Sequence, residues 1–504
     1  MSVRTTILAF FGLLTQSVFS GYDIWKNSGG LSTLAAGEQA QDADPDKDGL
    51  ANLVEYVLGG NPVQADAMAV SPVLDVSTGS LGITFVRMKA AGDASFTIEP
   101  QLTTNLGDPQ AWATDGTTFK GALQGIDQSN LPDGKSFASS AYERVQVIAN
   151  SPMAGVVGGK QFLRLGIGYE EVVVTTPPVG FITLTVRGTD NSTGLSAVSV
   201  PMLTTPLHTG VISGVNGMTI TDSNATWTTG DFATPDPNGN PSHYIEITSH
   251  SDAAKVGLIH EITASDGGNK TLAISGNAAA LNGSSYVIRK CRTLGGIFGD
   301  ANESGLTAGS SSSADIIYKI GVDGGGDLTW QIYYYQEAPG FAGGNGWRQL
   351  GKAANADMKD VSILPHEGLI IKRRSGPDKS VTLTGSVRTG NSHTSIRPGL
   401  NLVSHGYPVD YTLEQLGLHT GNPATGLDST VSTTNDAVYN INDSGRFEIF
   451  YHQQVPALAG GNGWRKFGLG TAIDQKDSVI PAGRSIVIRR LGETGFTWTT
   501  TVPF

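Results

Sequence analysis

Between residues 70 and 172 the apolar positions alternate with polar ones or gather in short runs: Leu81-Gly82-Ile83-Thr84-Phe85-Val86, Phe96-Thr97-Ile98, Val145-Gln146-Val147-Ile148 and Phe162-Leu163-Arg164-Leu165. Successive side chains of a strand point to opposite faces, so a period of two broken by turns such as Asn130-Leu131-Pro132-Asp133-Gly134 predicts an antiparallel sandwich. Thr175-Thr176-Pro177-Pro178 cannot continue a central strand and is expected to be a linker. Strands resume at Phe181-Ile182-Thr183-Leu184-Thr185-Val186, Tyr244-Ile245-Glu246-Ile247 and Tyr286-Val287-Ile288, and no long helical pattern follows residue 66.

The only clear helical period lies near the N-terminus. Leu50, Leu53, Val54, Val57 and Leu58 fall at i, i+3, i+4, i+7 and i+8, an apolar stripe that Gly59-Gly60 and Pro62 bring to a stop. Just before it, residues 44–55 fill every keyed position of a twelve-residue EF-hand loop. Asp44, Asp46 and Asp48 stand at positions 1, 3 and 5, Gly49 allows the sharp turn, and the Leu50 carbonyl occupies position 7. Asn52 at position 9 acts directly or through water, and Glu55 closes the site with both oxygens. Four carboxylates this close repel one another unless a divalent cation, here Ca2+, sits among them.

The succession of acidic loop, Asn, Glu-Tyr, Gly and Asn-Pro from Asp44 to Pro62 resembles the calcium loops of bacterial thrombospondin type 3-like and dockerin-like segments. The resemblance covers residues 22–66 and implies a structural calcium clip at a domain junction. Dockerins carry two such loops and only one is found here, so pairing with a cohesin is not implied. Asp236-Pro237-Asn238-Gly239-Asn240 is superficially similar, but Ile247 stands where the closing Glu belongs and an Asn-Gly turn explains it.

The C-terminal half contains a repeat. Ala342-Gly343-Gly344-Asn345-Gly346-Trp347-Arg348 recurs unchanged at 459–465, with Tyr334, Gln336 and Pro339 matched by Tyr451, Gln453 and Pro456. Downstream, Pro365 to Arg374 aligns with Pro481 to Arg490, setting Arg373-Arg374 against Arg489-Arg490. Each copy reads as a long-looped hairpin with Asn-Gly at the turn and Trp opening the return strand. Two copies of this length make a domain duplication rather than a solenoid. Residues 180–504 loosely resemble the β-rich repeat modules of uncharacterised secreted bacterial proteins, which implies fold and export rather than an activity.

The expected fold is therefore mainly β: several antiparallel β-sandwich-like modules, the last two an internal duplication, preceded by a short helical calcium-loop segment. The expected divisions are a signal peptide at 1–20, the calcium-loop segment at 21–66, a β-sandwich-like domain at 67–172, a linker at 173–179, a β-rich domain at 180–289, and repeat modules at 290–395 and 396–504.

Composition agrees with short strands and many turns, since 66 of 504 residues are Gly and only 15% are charged, against about 25% in ordinary domains. The net charge of −12 gives nucleic acid little to bind. A basic start at Arg4, the apolar run Ile7 to Leu14 and Val18-Phe19-Ser20 read as a secretory signal cleaved before Gly21. No later run is long enough to form a membrane helix. The single Cys291 forbids an internal disulfide, so stability must come from core packing or metal ions, as is usual for exported bacterial proteins.

Two functional readings follow. The first is an exported, non-enzymatic bacterial surface or extracellular protein with a structural calcium site, acting in adhesion, matrix or envelope structure. The second is a carbohydrate-binding module array, alone or as part of polysaccharide degradation, with Trp347 and Trp464 as stacking platforms and Arg348 and Arg465 beside them; extracellular polysaccharide or envelope components are the partners. The Gly-x-Ser-x-Gly elbow, His-Glu-x-x-His and P-loop are all missing, although two carboxylates of a glycoside hydrolase or lyase leave no local signature.

Overall fold

The structure, a computed structural model, describes residues 21–89, 93–114, 119–120, 126–129, 131, 141–322, 328–340, 343–429, 436–454 and 460–504. The expected signal segment lies outside them. The fold is mainly β, with 40% of the described residues in strands and 7% in helices. Among the described residues no helix is long and apolar enough to cross a membrane.

The N-terminal sandwich follows from the period-two pattern. One sheet has the order Val73–Asp75, Ser80–Met88, Tyr142–Pro152 and Phe119–Lys120. Its buried residues Leu81, Ile83 and Phe85 share a core with Leu163, Leu165 and Ile167 of the opposing sheet and with the helix Asn52–Leu58. That opposing sheet runs Lys379–Ser386, Val179–Val186, Lys160–Tyr169 and Phe96–Thr103, and Val172–Thr175 also pairs with Lys160–Tyr169. The expected linker at 173–179 is thus no free tether. Val172–Thr175 and Val179–Val186 both bond to the same strand, and the prolines occupy only the turn between them.

The duplicated modules each form a five-stranded sheet with one strand order. In the first copy it is Gly346–Gln349, Leu328–Gln336, Ile316–Val322, Gly368–Lys372 and Leu195–Ser199; in the second it is Gly463–Lys466, Phe447–Gln453, Ala437–Ile441, Ile486–Arg490 and Gly399–Val403. The first copy therefore begins upstream of the expected boundary at 290, because Leu195–Ser199 fills the place of Gly399–Val403. Gly194-Leu195 and Val198-Ser199 match Gly399-Leu400 and Val403-Ser404. Likewise Val179–Val186 pairs with Lys379–Ser386 as Ser392–Ile396 pairs with Phe496–Thr500. Between the two halves of the first copy stands a separate seven-stranded sheet built from Pro206–Val211 through Ser285–Lys290. Its first and last strands pair, and Thr204 Oγ1 donates to the Lys290 carbonyl at 2.7 Å, so the inserted piece leaves where it enters.

The structure also corrects the repeat alignment by one residue. Ile371 pairs with Ile317 and Ser196, and Ile488 pairs with Val438 and Asn401, so Ile371 corresponds to Ile488 and Arg373 to Arg490. Chemistry supports the new register. Arg373 pairs with buried Asp315 at 2.6 Å, Arg490 pairs with buried Asp436, and those carboxylates also accept from the amides of Arg374 and Leu491, each at 2.7 Å. Displacing a strand by one residue turns every side chain to the other face, and the buried pairs permit one register only. Equivalent residues from both copies, Ala197 with Leu402, Ile370 with Val487, and Tyr318 with Tyr439, meet in one small apolar cluster. The two modules thus face each other about a pseudo-two-fold axis.

Candidate metal centre

The acidic loop is held by its own amides. Gly49 N–H donates to Asp44 Oδ2 (3.0 Å), Asp48 N–H to Asp46 Oδ1 (3.2 Å), and Leu50 N–H to Asp48 Oδ1 (3.0 Å). Gly49 has φ +98°, a conformation that side chains avoid and that the sharp turn requires. The result brings oxygens of Asp44, Asp46 and Asp48 within 4.8 Å of one another.

The helix that follows places Glu55. All seven residues of Asn52–Leu58 are buried, so the expected amphipathic helix has no solvent face. Leu53, Val54 and Val57 pack into the sandwich core, and Glu55 turns back toward the loop. Gly59 ends the helix at φ +87°, and the amides of Gly59 and Gly60 both donate to the Glu55 carbonyl, at 2.7 and 2.8 Å. A Cβ on Gly60 would lie 3.0 Å from the Glu55 Cβ and 3.1 Å from Asp66 Oδ1, so a side chain there would press on both carboxylate-bearing residues.

Asp66 is the residue that sequence reasoning missed. Oxygens of Asp48, Glu55 and Asp66 form a second group within 4.8 Å, sharing Asp48 with the first. The turn that delivers Asp66 is tied to the loop, because the amides of Asp66 and Ala67 donate to Asp48 Oδ2 at 2.8 and 2.6 Å. Asp66 Oδ2 accepts from the amide of Asn61 at 3.0 Å. The signal lay in Asn61-Pro62, a turn that returns the chain to the loop, but neither its length nor its direction follows from residue type.

These carboxylates lack partners. Asp44 Oδ1, Asp46 Oδ2, both oxygens of Glu55 and Asp66 Oδ1 are buried without a hydrogen bond. Burial, followed by the charges of Asp46, Asp48, Asp66 and Asp44, pushes the Glu55 carboxyl up to about 10. Asp46 rises to about 8, chiefly through burial and then the Asp48 charge, and Asp66 to about 6 for the same two reasons. Burial raises Asp48 too, against the pull of its amide donors. An isolated buried carboxylate is costly unless paired or coordinated, and five together with oxygens left over have the chemistry of a hard-cation cage. Asn52 has a second task beside its expected one. Its Nδ2 donates to the carbonyls of Glu38 and Ala40 at 2.8 and 2.7 Å, bracing the incoming chain, and only Oδ1 is left without a partner. Leu50 is buried beside the loop with its amide on Asp48.

The expected sugar platforms are not surfaces. Trp347 and Trp464 are 0% and 1% exposed, and Arg348 and Arg465 are equally buried. Trp347 packs against Phe298 and Tyr335 and donates Nε1–H to the Gly299 carbonyl at 2.9 Å. Arg348 donates to the carbonyls of Gly343, Gly344 and Trp347, and Arg465 repeats this at Gly460, Gly461 and Trp464. Trp and Arg are neighbours in the strand and so point to opposite faces, yet both are covered: the Trp by packed aromatic rings, the Arg by the glycine-rich hairpin that its guanidinium holds closed. Stacking on a ligand is therefore corrected to packing of the repeat. Trp330 and Phe447, by contrast, are exposed, at matching positions of the two copies and edge-on to Tyr318 and Tyr439. Cys291 is buried, and burial raises its thiol well above the usual range, leaving it inert.

Comparison of the chain with family models, curated proteins and solved structures yields no match.

Proposed function

We propose that this protein is an exported, non-enzymatic extracellular or surface scaffold whose N-terminal segment is fastened to the first sandwich by a calcium ion, acting in adhesion, matrix or envelope structure. One observation carries the reading: Asp44, Asp46, Asp48, Glu55 and Asp66 converge in a half-buried cluster, with five buried carboxylate oxygens lacking any donor among the described residues. Calcium takes six to eight oxygen ligands in flexible geometry, which suits an all-oxygen set assembled from a loop, a helix and a turn. Asp44, Asp46, Asp48, Glu55 and Asp66 would hold the ion, and its charge would replace their mutual repulsion with attraction. The scaffold role is supported by the duplicated β modules, the signal-like N-terminus and the missing catalytic motifs.

The test is calorimetric titration of the chelator-stripped full chain with calcium chloride. One ion per chain, with an affinity in the micromolar to millimolar range of sensor and extracellular sites, is expected. An absence of binding up to millimolar calcium, together with unchanged melting in EGTA, would refute the assignment.

A further inference from the structure

A cavity of about 230 Å³ opens where the inserted seven-stranded domain meets the paired repeat modules. At about 30 Å³ per water it has room for seven or eight water molecules, or for one solute of comparable bulk. Three pieces of chain far apart in sequence build it: Glu261 from the insert, Lys319 and Glu367 from the first copy, and Arg397 and Leu402 from the second.

Pseudo-symmetry shows that this cavity is not a by-product of the duplication. The equivalents of Lys319, Glu367 and Arg397 in the other half are Asn440, Arg484 and Arg187, as the strand registers require. There, Arg484 and Arg187 both pair with Asp443, at 2.6 and 3.0 Å, and Arg484 also donates to the Ile441 carbonyl. Ion pairs close the space in one half. In the other half the substitutions point polar groups into a void, and the insert adds a carboxylate facing them.

The chemistry of the walls narrows the occupant. Lys319 is buried and paired with Glu367 at 2.6 Å, which accounts for one of its three donors. Glu367 also accepts from the Leu364 amide at 2.8 Å. The Glu261 carboxylate has no hydrogen-bond partner among the described residues, and burial followed by the Glu367 charge raises its proton affinity. Buried His366 Nδ1 is unpartnered and the imidazole is held neutral by burial. Two carboxylates stand against two cations, Lys319 and Arg397, so the charges already balance and a charged solute would leave one uncompensated. Hydroxyl groups donate and accept, satisfying Glu261 and the free Lys319 protons together, while Ile320 and Leu402 offer an apolar wall to C–H groups.

We propose that this cavity is a binding site for an uncharged polyhydroxylated ligand of monosaccharide size, with Glu261 and Lys319 as its principal hydrogen-bonding groups. The site is distinct from the calcium centre, and its test does not depend on that assignment.

The experiment is a thermal-shift and calorimetric screen of the calcium-loaded full chain against neutral monosaccharides and polyols, with free amino acids and uronic acids as charged comparisons. Retention on immobilised neutral polysaccharides distinguishes a glycan end from a free solute. At least one neutral probe is expected to bind, with Glu261→Gln weakening it by about tenfold to a hundredfold, the loss of one charge-assisted bond. Arg397→Gln, at an exposed position, should weaken it less and leaves the core intact as a folding check. Binding of charged probes only, binding unaffected by Glu261→Gln, or no binding by any probe at tens of millimolar would each overturn the proposal.

Discussion

Glu55→Gln should raise the stability of this protein without calcium and abolish the stabilisation that calcium confers. Without the ion, Glu55 must be protonated to sit where it does. Its folded value of about 10 lies far above the unfolded value of 4.5, so at pH 7 the unfolded chain carries a carboxylate that the folded chain neutralises. Each unit between 4.5 and the working pH is worth about 1.4 kcal/mol, so the penalty at pH 7 is about 3 kcal/mol, less whatever the site relaxes. The sign follows from linkage. The penalty is absent below pH 4.5, grows as pH rises, and levels off near 10, and Asp46 adds to it in the same sense up to about 8. In EGTA the native protein should therefore melt higher at pH 5 than at pH 8, and Glu55→Gln should recover the share of the loss that Glu55 causes, since glutamine keeps the shape and removes the ionisation, while the share of Asp46 remains. In calcium the same substitution removes the ligand that closes the loop. Saturating calcium at 100 times its dissociation constant contributes about 2.7 kcal/mol. For a cooperative unit of 150–250 residues each kcal/mol moves the midpoint by roughly 2–4 °C, so the variant should melt roughly 5–10 °C above the native chain in EGTA, while calcium should raise only the native chain, by about the same amount, and so close the gap. Differential scanning calorimetry of both proteins at pH 5, 7 and 8 reads this directly. A variant that melts no higher than the native chain in EGTA, or that gains as much from calcium as the native chain does, would show that Glu55 is an ordinary buried side chain.

Other consequences can be measured separately. Asp436→Asn leaves Arg490 buried and half-paired and should lower stability by about 3–5 kcal/mol; Asp315→Asn should do the same at Arg373, because the two pairs occupy one place in the repeat. Urea unfolding that showed either change to be silent would contradict the register given above. Trp464→Ala should cost about 3–5 kcal/mol as a core truncation, and any change in retention on polysaccharide should track the unfolded fraction. Cys291 should react with a thiol reagent only after denaturation, and rapid labelling of the native chain would contradict its burial. Exported protein should begin at Gly21 by N-terminal sequencing; retention of residues 1–20 would refute the signal reading.

The metal loop was legible because its requirements are local: Asp44, Asp46, Asp48, Gly49 and Glu55 fall within twelve residues and each has one geometric task. Asp66 was not, since it joins the site through hydrogen bonds to Asp48 that depend on the path of the chain around Asn61. The Gly-Gly-Asn-Gly-Trp-Arg hairpins mark the duplication, yet leave Trp347 and Trp464 open between a sugar platform and packing of the repeat, because a hairpin sequence does not say which face of its sheet meets another layer. The start of the first copy was hidden for a different reason. Leu195–Ser199 is five residues long, pairs with a strand far along the chain, and shares only a few identities with its counterpart. Strand pairing is non-local, and short strands carry too little pattern to announce a distant partner.

The inserted domain has a consequence for how the chain reaches this structure. Closing the first module joins Ser199 to Gly368, whereas closing the second joins Val403 to Ile486, about half that separation, and a doubling of loop length adds only about 0.6 kcal/mol of closure entropy. The equilibrium scarcely registers the interruption, but the order of events does. On a ribosome the strand Leu195–Ser199 emerges long before its partner and waits with an unpaired edge while the insert is made. Because the insert begins and ends in neighbouring paired strands, its completion draws residues 204 and 291 together and turns a long search into a short one. Folding of the insert is then the step that sets the pace for the first module, and lesions within it should delay assembly there while leaving the second module's rate unchanged.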